Sequence, residues 1–438
     1  IRYPSSQLAR MDWDRLQFGL THRVTAPRWG LTTTAYRHDF TRVWRRLNGF
    51  ARSGLGGPTL NEAIAQDGAL AEVLRGVADS TGVDDTLFLT FNDRSYVSQG
   101  IQTEASASFQ TGPIGHGVRA GARFHFDRIE RDHDEEEYAM LGGELRRTQR
   151  PRDDVTANFD RAFAGAFFLQ DTMRLGRLTV VPAVRMEVID VARELREGDL
   201  GFGQSGGDRA QTDVVVLPGI GASYGMTNEL FVLAGIHRGF SPVAPSSARP
   251  VDGDEDVNVV DPELSWNLEG GLRYARPDLR GEAIGFANLY SNLVVNCTNS
   301  VSCPPELLDS QANLGEADTY GVELLVDART QGWLDLIYGV TLAYTYTVAR
   351  FGTDIDDAEI PRYSGAREGD RIPDIPLHIG SLTLSVGDED WDVNLSVRGQ
   401  DRIFDVPGAA SDNLPDSAFT DAFAVLDASA RYRATEWL

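Results

Sequence analysis

The chain has 438 residues, is 42% hydrophobic, and sets 41 basic residues against 65 acidic ones for a formal charge of −24. Every basic residue is arginine, which excludes lysine Schiff-base chemistry and the Walker P-loop, and an acidic balance of this size argues against nucleic acid as a partner. No run of about 18 apolar residues exists, so no membrane-spanning helix is expected.

Taken in order, strands are predicted over residues 13–22, 30–46, 94–111, 114–131, 161–174, 177–191, 212–225, 229–239, 263–275, 280–296, 316–329, 335–350, 376–386, 390–405 and 423–434. The stretch 262–274 shows why. Glu263, Ser265, Asn267, Glu269 and Arg273 fall on one face of an extended strand, and Leu264, Trp266, Leu268, Leu272 and Tyr274 on the other. The same two-residue alternation returns near 97–109, 118–127, 336–347 and 391–400. Long strands that are polar on one face and apolar on the other predict an all-β fold, a transmembrane antiparallel up-and-down β-barrel with its polar face inward.

Connection lengths test that reading, because turns at one end of such a barrel are short and loops at the other are long. Short connections are predicted at 25–29, 112–113, 175–176, 226–228, 276–279, 330–334 and 387–389, all alternating with long loops. The stretch 138–147 also alternates, but a membrane strand there breaks the parity, so it is predicted as an external hairpin within 132–160. The longest loop, 47–93, carries a helix-like stretch at 60–75, predicted to sit on the barrel rim.

Cys297 and Cys303 lie in one external loop and are expected to form a disulfide in an oxidising compartment, since no histidine stands nearby to complete a zinc set. Gly221, Ser223 and Gly225 spell a hydrolase elbow, but the turn after them leads into another strand rather than a helix. The acidic run 252–256 lacks calcium-loop spacing and reads as a solvated loop. No metal site, cofactor or catalytic residue is expected. A chain that starts at Ile1-Arg2-Tyr3 and stops at Glu436-Trp437-Leu438 is read as a fragment, one barrel domain over 1–438 that is incomplete at both ends.

Several segments carry a family resemblance: Asn92-Asp93-Arg94-Ser95-Tyr96, Phe168-Leu169-Gln170-Asp171, Leu217-Pro218-Gly219, His237-Arg238-Gly239-Phe240-Ser241-Pro242, Trp266-Asn267-Leu268-Glu269, Tyr320-Gly321-Val322-Glu323, and Gly369-Asp370-Arg371-Ile372-Pro373. On these the chain resembles the TonB-dependent outer-membrane receptors, most closely their ferric-dicitrate branch. The resemblance implies about twenty-two strands around a plug, of which about fifteen are present here and the plug is absent. It also implies residence in the outer membrane of a Gram-negative bacterium, contact with lipid and lipopolysaccharide, and energised uptake of a ferric chelate. Coupling to TonB-ExbB-ExbD would run through the N-terminal part that these residues lack. A passive porin-like or anchoring barrel, or a receptor for another metal chelate, stays open. An anionic chelate would need guanidinium groups near the external mouth. Arg94, Arg238, Arg398, Gln400 and Arg402 are the candidates, against the alternative that they pair with carboxylates such as Glu263 and Glu269.

Overall fold

Alternating sequences satisfy their backbone only by pairing edge to edge, and this chain does so as one long antiparallel meander. The computed structural model describes residues 3–50, 60–196, 207–251, 260–297, 311–356, 361–405, 407 and 419–434. In chain order these residues form β1 (Arg10–Thr25), β2 (Trp29–Phe50), α1 (Leu60–Gln66), α2 (Ala69–Leu74), β3 (Leu87–Thr111), β4 (Ile114–Leu141), β5 (Glu144–Arg147), β6 (Asp153–Leu175), β7 (Leu178–Leu195), β8 (Arg209–Gly225) and β9 (Leu230–Ser241). Then follow β10 (Glu263–Ala275), β11 (Leu279–Ser291), β12 (Val294–Asn296), β13 (Gln311–Asn313), β14 (Ala317–Gln331), β15 (Ile337–Phe351), β16 (His378–Gly387), β17 (Trp391–Gln400), β18 (Ile403–Phe404), β19 (Phe419–Thr420) and β20 (Phe423–Tyr432).

The main sheet has 16 strands: each predicted strand pairs with its sequence neighbour, and β5 adds to β4. β12 with β13, and β18 with β19, form separate small ladders in external loops. β1 and β20 are the two edges, and no register joins them among the described residues. The predicted parity holds: Gly112 and Gly176 take positive φ in tight turns, while the opposite ends carry long loops. The 138–147 stretch is the expected hairpin, since β4 runs on to Leu141, turns at Gly142 and Gly143, and pairs back with β5.

Several boundaries differ from expectation. At the external side β3 starts at Leu87 rather than 94, β4 runs to Leu141 rather than 131, and β6 starts at Asp153 rather than 161, because pairing continues past the membrane band. β11 stops at Ser291 because Asn292 adopts a left-handed φ of 55°, so residues 294–296 leave the main sheet. β17 stops at Gln400 rather than near 405. The predicted rim helix is present but broken at Asp67, whose φ is 48°. It closes a small external core in which Ala63, Val73 and Leu74 meet Phe50, Leu87 and Met140.

Register assigns every strand two faces. Leu268 lies across from Ile236 and Ala287, and these belong to a continuous exposed apolar face that includes Phe18, Ile101, Phe124 and Val216. The other face carries Arg94, Tyr36, His125, Asp160, Glu269 and Arg398. A free sheet would not leave one whole face so greasy; in a membrane barrel that face meets lipid and the polar face lines the interior.

Candidate anion site on the inner wall

At about 3.3 Å rise and 45° tilt, a strand climbs roughly 2.3 Å per residue, so an apolar band about 25 Å tall spans some eleven residues. β3 and β4 are 25 and 28 residues long. Their outer halves therefore stand clear of the membrane, and it is there that basic residues gather on the inner face.

Arg42 lies directly across from Arg94, and Arg94 across from Arg131. One residue pair further out, Trp44 faces Asn92 and Asn92 faces His133. Arg46 stands beyond Trp44 on the same face. Opposed like charges cost energy in a sheet unless something holds them, and here the holders differ. Arg131 and Arg193 share one buried carboxylate, Asp160, which takes Arg193 Nε at 2.6 Å and Nη2 at 2.7 Å, and also Arg131 Nη1. Burial alone would raise the Asp160 carboxyl, but the hydrogen bonds and charges of the two arginines outweigh it and hold it below the usual range. Arg42 and Arg46 instead flank the Trp44 ring, with guanidinium carbons 5.9 and 5.1 Å from its centroid. Arg94 donates from Nε to His133 Nε2 at 3.0 Å. Among the described residues, no carboxylate comes within ion-pair distance of Arg42, Arg46 or Arg94.

Electrostatics registers the imbalance. Burial, then Arg94, Arg131, Arg46 and Arg42, push the His133 imidazole down to about 3. Burial and the neighbouring Arg131 likewise pull the Arg94 guanidinium below its usual value, although an arginine so placed stays charged.

The other expected residues lie elsewhere. Arg398 and Gln400 share the inner face of β17 and line a groove of about 310 Å³ with Thr345, Ile379, Ser381 and Phe423. Arg398 is 3.7 Å from Asp427 across the β17–β20 pair. Arg402 lies beyond the strand, its guanidinium 4.2 Å from the Phe419 ring centroid and 3.6 Å from Asp421. Arg238 departs from the set: it pairs with Trp266 on the outer face, 5.8 Å from that ring, and does not reach the interior. The structure thus joins Arg94 to Arg42, Arg46 and Arg131, which sequence reasoning did not single out, and leaves the β17 group apart. Cys297 is buried in an external core with Leu314, Phe351 and Tyr363 and is not a free thiol; Cys303 and the acidic run 252–256 lie outside the described residues. Gly221 and Ser223 stand in β8, which turns straight into β9, so no hydrolase elbow exists there.

The sequence signature described as TonB dependent receptor-like, beta-barrel covers residues 2–437. Among solved structures, the chain is similar to the ferric citrate transporter FecA in its unliganded form, at TM-score 0.68 and 18% identity over 97% of this chain and 55% of that one. It is similar to the ferric-catecholate import receptor Fiu from K12 E. coli, at TM-score 0.66 and 16% identity over 98% of this chain and 59% of that one. It is also similar to the copper transporter OprC, at TM-score 0.60 and 14% identity over 97% of this chain and 58% of that one. The chain therefore spans little more than half the length of each. Identities this low speak for the fold alone.

Proposed function

Because the chain belongs to the TonB-dependent receptor β-barrel family, we propose that it is the barrel, residues 1–438, of an outer-membrane receptor for energised uptake of an anionic ferric chelate such as ferric citrate. The observation that carries this is the inner-wall cluster of Arg42, Arg46 and Arg94, whose charges no carboxylate offsets among the described residues. Guanidinium groups grip carboxylates and similar oxyanions through paired N–H donors, so three of them on one wall suit a polyanion. The formal charge of −24 opposes an anion from afar, but salt screens that field within about 8 Å, and the local cluster then decides. Arg398, Gln400 and Arg402 form a second, weaker candidate contact lower on another wall. Energy would come from TonB-ExbB-ExbD, acting through a plug and TonB box that the family resemblance puts ahead of these residues. Family membership favours this reading over a passive pore.

The test is ferric citrate binding to the full-length receptor. Arg94→Ala is expected to weaken it at least about tenfold and Arg402→Ala by less. Unchanged affinity in both variants, or no binding by the wild type, overturns the reading.

A further inference from the structure

Resting on the anionic-cargo reading, the contrast between Asp160 and His133 says more about how the site works. Both hold arginines on the same wall, a few residues apart. Asp160 does so with a negative charge, which offsets half the charge of the two arginines it clamps. His133 does so without one. Arg94 Nε donates to His133 Nε2 at 3.0 Å, so that nitrogen must offer a lone pair, and the ring is neutral with its proton on Nδ1. We infer that His133 is a positioning residue that fixes Arg94 through an uncharged acceptor, so that the seat keeps the positive charge an anionic ligand needs.

The surroundings agree. Arg42 and Arg46 face His133 from β2, and Arg94 and Asn92 from β3. Arg131 and Glu135 flank it on β4, and Thr156 lies opposite on β6. Glu135, the one carboxylate in that list, is engaged by Asn48 and Thr90 rather than by an arginine. His133 is only 8% exposed, so a proton on its ring would be both buried and ringed by cations. The Trp44 ring serves Arg42 and Arg46 as the imidazole serves Arg94: each is an uncharged holder that orders a long side chain in advance. Because Nε of Arg94 is already taken, its two terminal amino groups remain the donors that can turn to a ligand or to the Tyr96 beside it. A seat built this way adds no pH dependence of its own to the binding of an anion while the ring stays neutral.

The experiment uses the full-length receptor and three side chains at position 133, read against both ferric citrate and iron-free citrate by titration calorimetry. His133→Gln keeps a neutral acceptor and is expected to bind citrate within about threefold of wild type, whereas His133→Glu, which clamps Arg94 with a charge, is expected to bind at least about tenfold more weakly with a flatter salt dependence. The ratio of wild-type to His133→Gln affinity is expected to stay level between about pH 5 and 8, since protonation of citrate itself acts on both alike. Equal affinity of His133→Glu and wild type, both assembled to the same yield, overturns the inference. So does wild-type affinity that climbs below about pH 6.5 while that of His133→Gln does not, because the imidazole would then be titrating. Loss of ferric citrate binding alone, with iron-free citrate still weakened by His133→Glu, overturns the proposed cargo and upholds the role of His133. Absence of citrate binding by the wild type overturns both.

Discussion

The hydroxyl of Tyr36 lies over Gly100, the residue across from it on β3, so closely that a Cβ at position 100 would stand 2.5 Å from Tyr36 Oη and 2.6 Å from the Phe124 carbonyl oxygen. The bare glycine lets Tyr36 reach a strand further, to His125 Nδ1 at 2.6 Å. Arg123 donates to the same hydroxyl from Nε at 3.1 Å and Nη2 at 2.9 Å. The hydroxyl proton therefore points at Nδ1, and His125 Nε2 donates to Asp127 at 2.6 Å. Gly100→Ala is expected to destabilise the barrel by about 1–3 kcal/mol, the range for forced overpacking. Adding Tyr36→Phe should restore little, because the carbonyl contact belongs to the neighbouring ladder and cannot swing away. Denaturant titrations of the refolded protein that put Gly100→Ala level with wild type would disprove this account of the glycine.

A pH effect is expected on the outer extension of β4 and β6. Asp134 lies across from Asp154 there. Burial first, and then the hydrogen bond shared with Asp154, push the Asp134 carboxyl up to about 6 even though Arg152 is its ion-pair partner. An acid whose folded value is raised holds its proton more tightly in the fold. Its contribution is complete below the ordinary value near 4 and is lost as pH rises through about 6. After discount for solvent screening the loss is about 1 kcal/mol. Amide exchange along residues 132–135 and 153–156 is expected to quicken between pH 4 and 7 beyond its intrinsic dependence, and Asp134→Asn to remove the excess. Exchange with no excess over that interval would count against the shared proton.

How legible this was in the sequence depends on what each feature rests on. Strand existence, order and parity were readable because the two-residue alternation and the tight turns at Gly112 and Gly176 are local signals. The cluster was not, because it depends on register. Arg42, Arg94 and Arg131 lie far apart in sequence, and only pairing of β2, β3 and β4 lines them up. Arg238 illustrates the converse. Its strand has apolar residues on both faces, so alternation could not say which way it points, and pairing with Trp266 sets it outward. Arg402 was assigned to a strand that ends two residues earlier.

Depth along the apolar face gives a third expectation. Leu268 lies roughly seven residues above the end of β10, or about 16 Å up a tilted strand, near the middle of the band. Trp266 is closer to its outer edge, where Arg238 already stands beside it. Leu268→Arg is expected to cost about 2–4 kcal/mol and Trp266→Arg about 0–1 kcal/mol beyond the lost ring contacts, whereas Glu263→Gln on the inner face should be mild. Folding into liposomes with equal losses for the first two would mean that the band has been set at the wrong height.

The last expectation separates holding the wall together from binding its ligand. Asp160 is 3% exposed and carries two arginines. Asp160→Asn keeps its shape but leaves two buried guanidinium groups without a counter-charge, which typically costs about 3–5 kcal/mol. Arg94→Ala removes a cation from a crowd of cations, relieving repulsion with Arg42 and Arg131 while leaving His133 without its donor. These losses and gains oppose one another, and the net change in stability is expected to stay below about 1 kcal/mol. Stability and affinity should therefore move in opposite order. Asp160→Asn unfolds at clearly lower denaturant, yet, where folded, binds citrate at least as well as wild type because the wall has become more positive. Arg94→Ala unfolds near the wild type and binds poorly. Denaturant midpoints and citrate titrations on the same preparations check this, and an Arg94→Ala variant that loses stability in proportion to affinity would reduce Arg94 to a structural part.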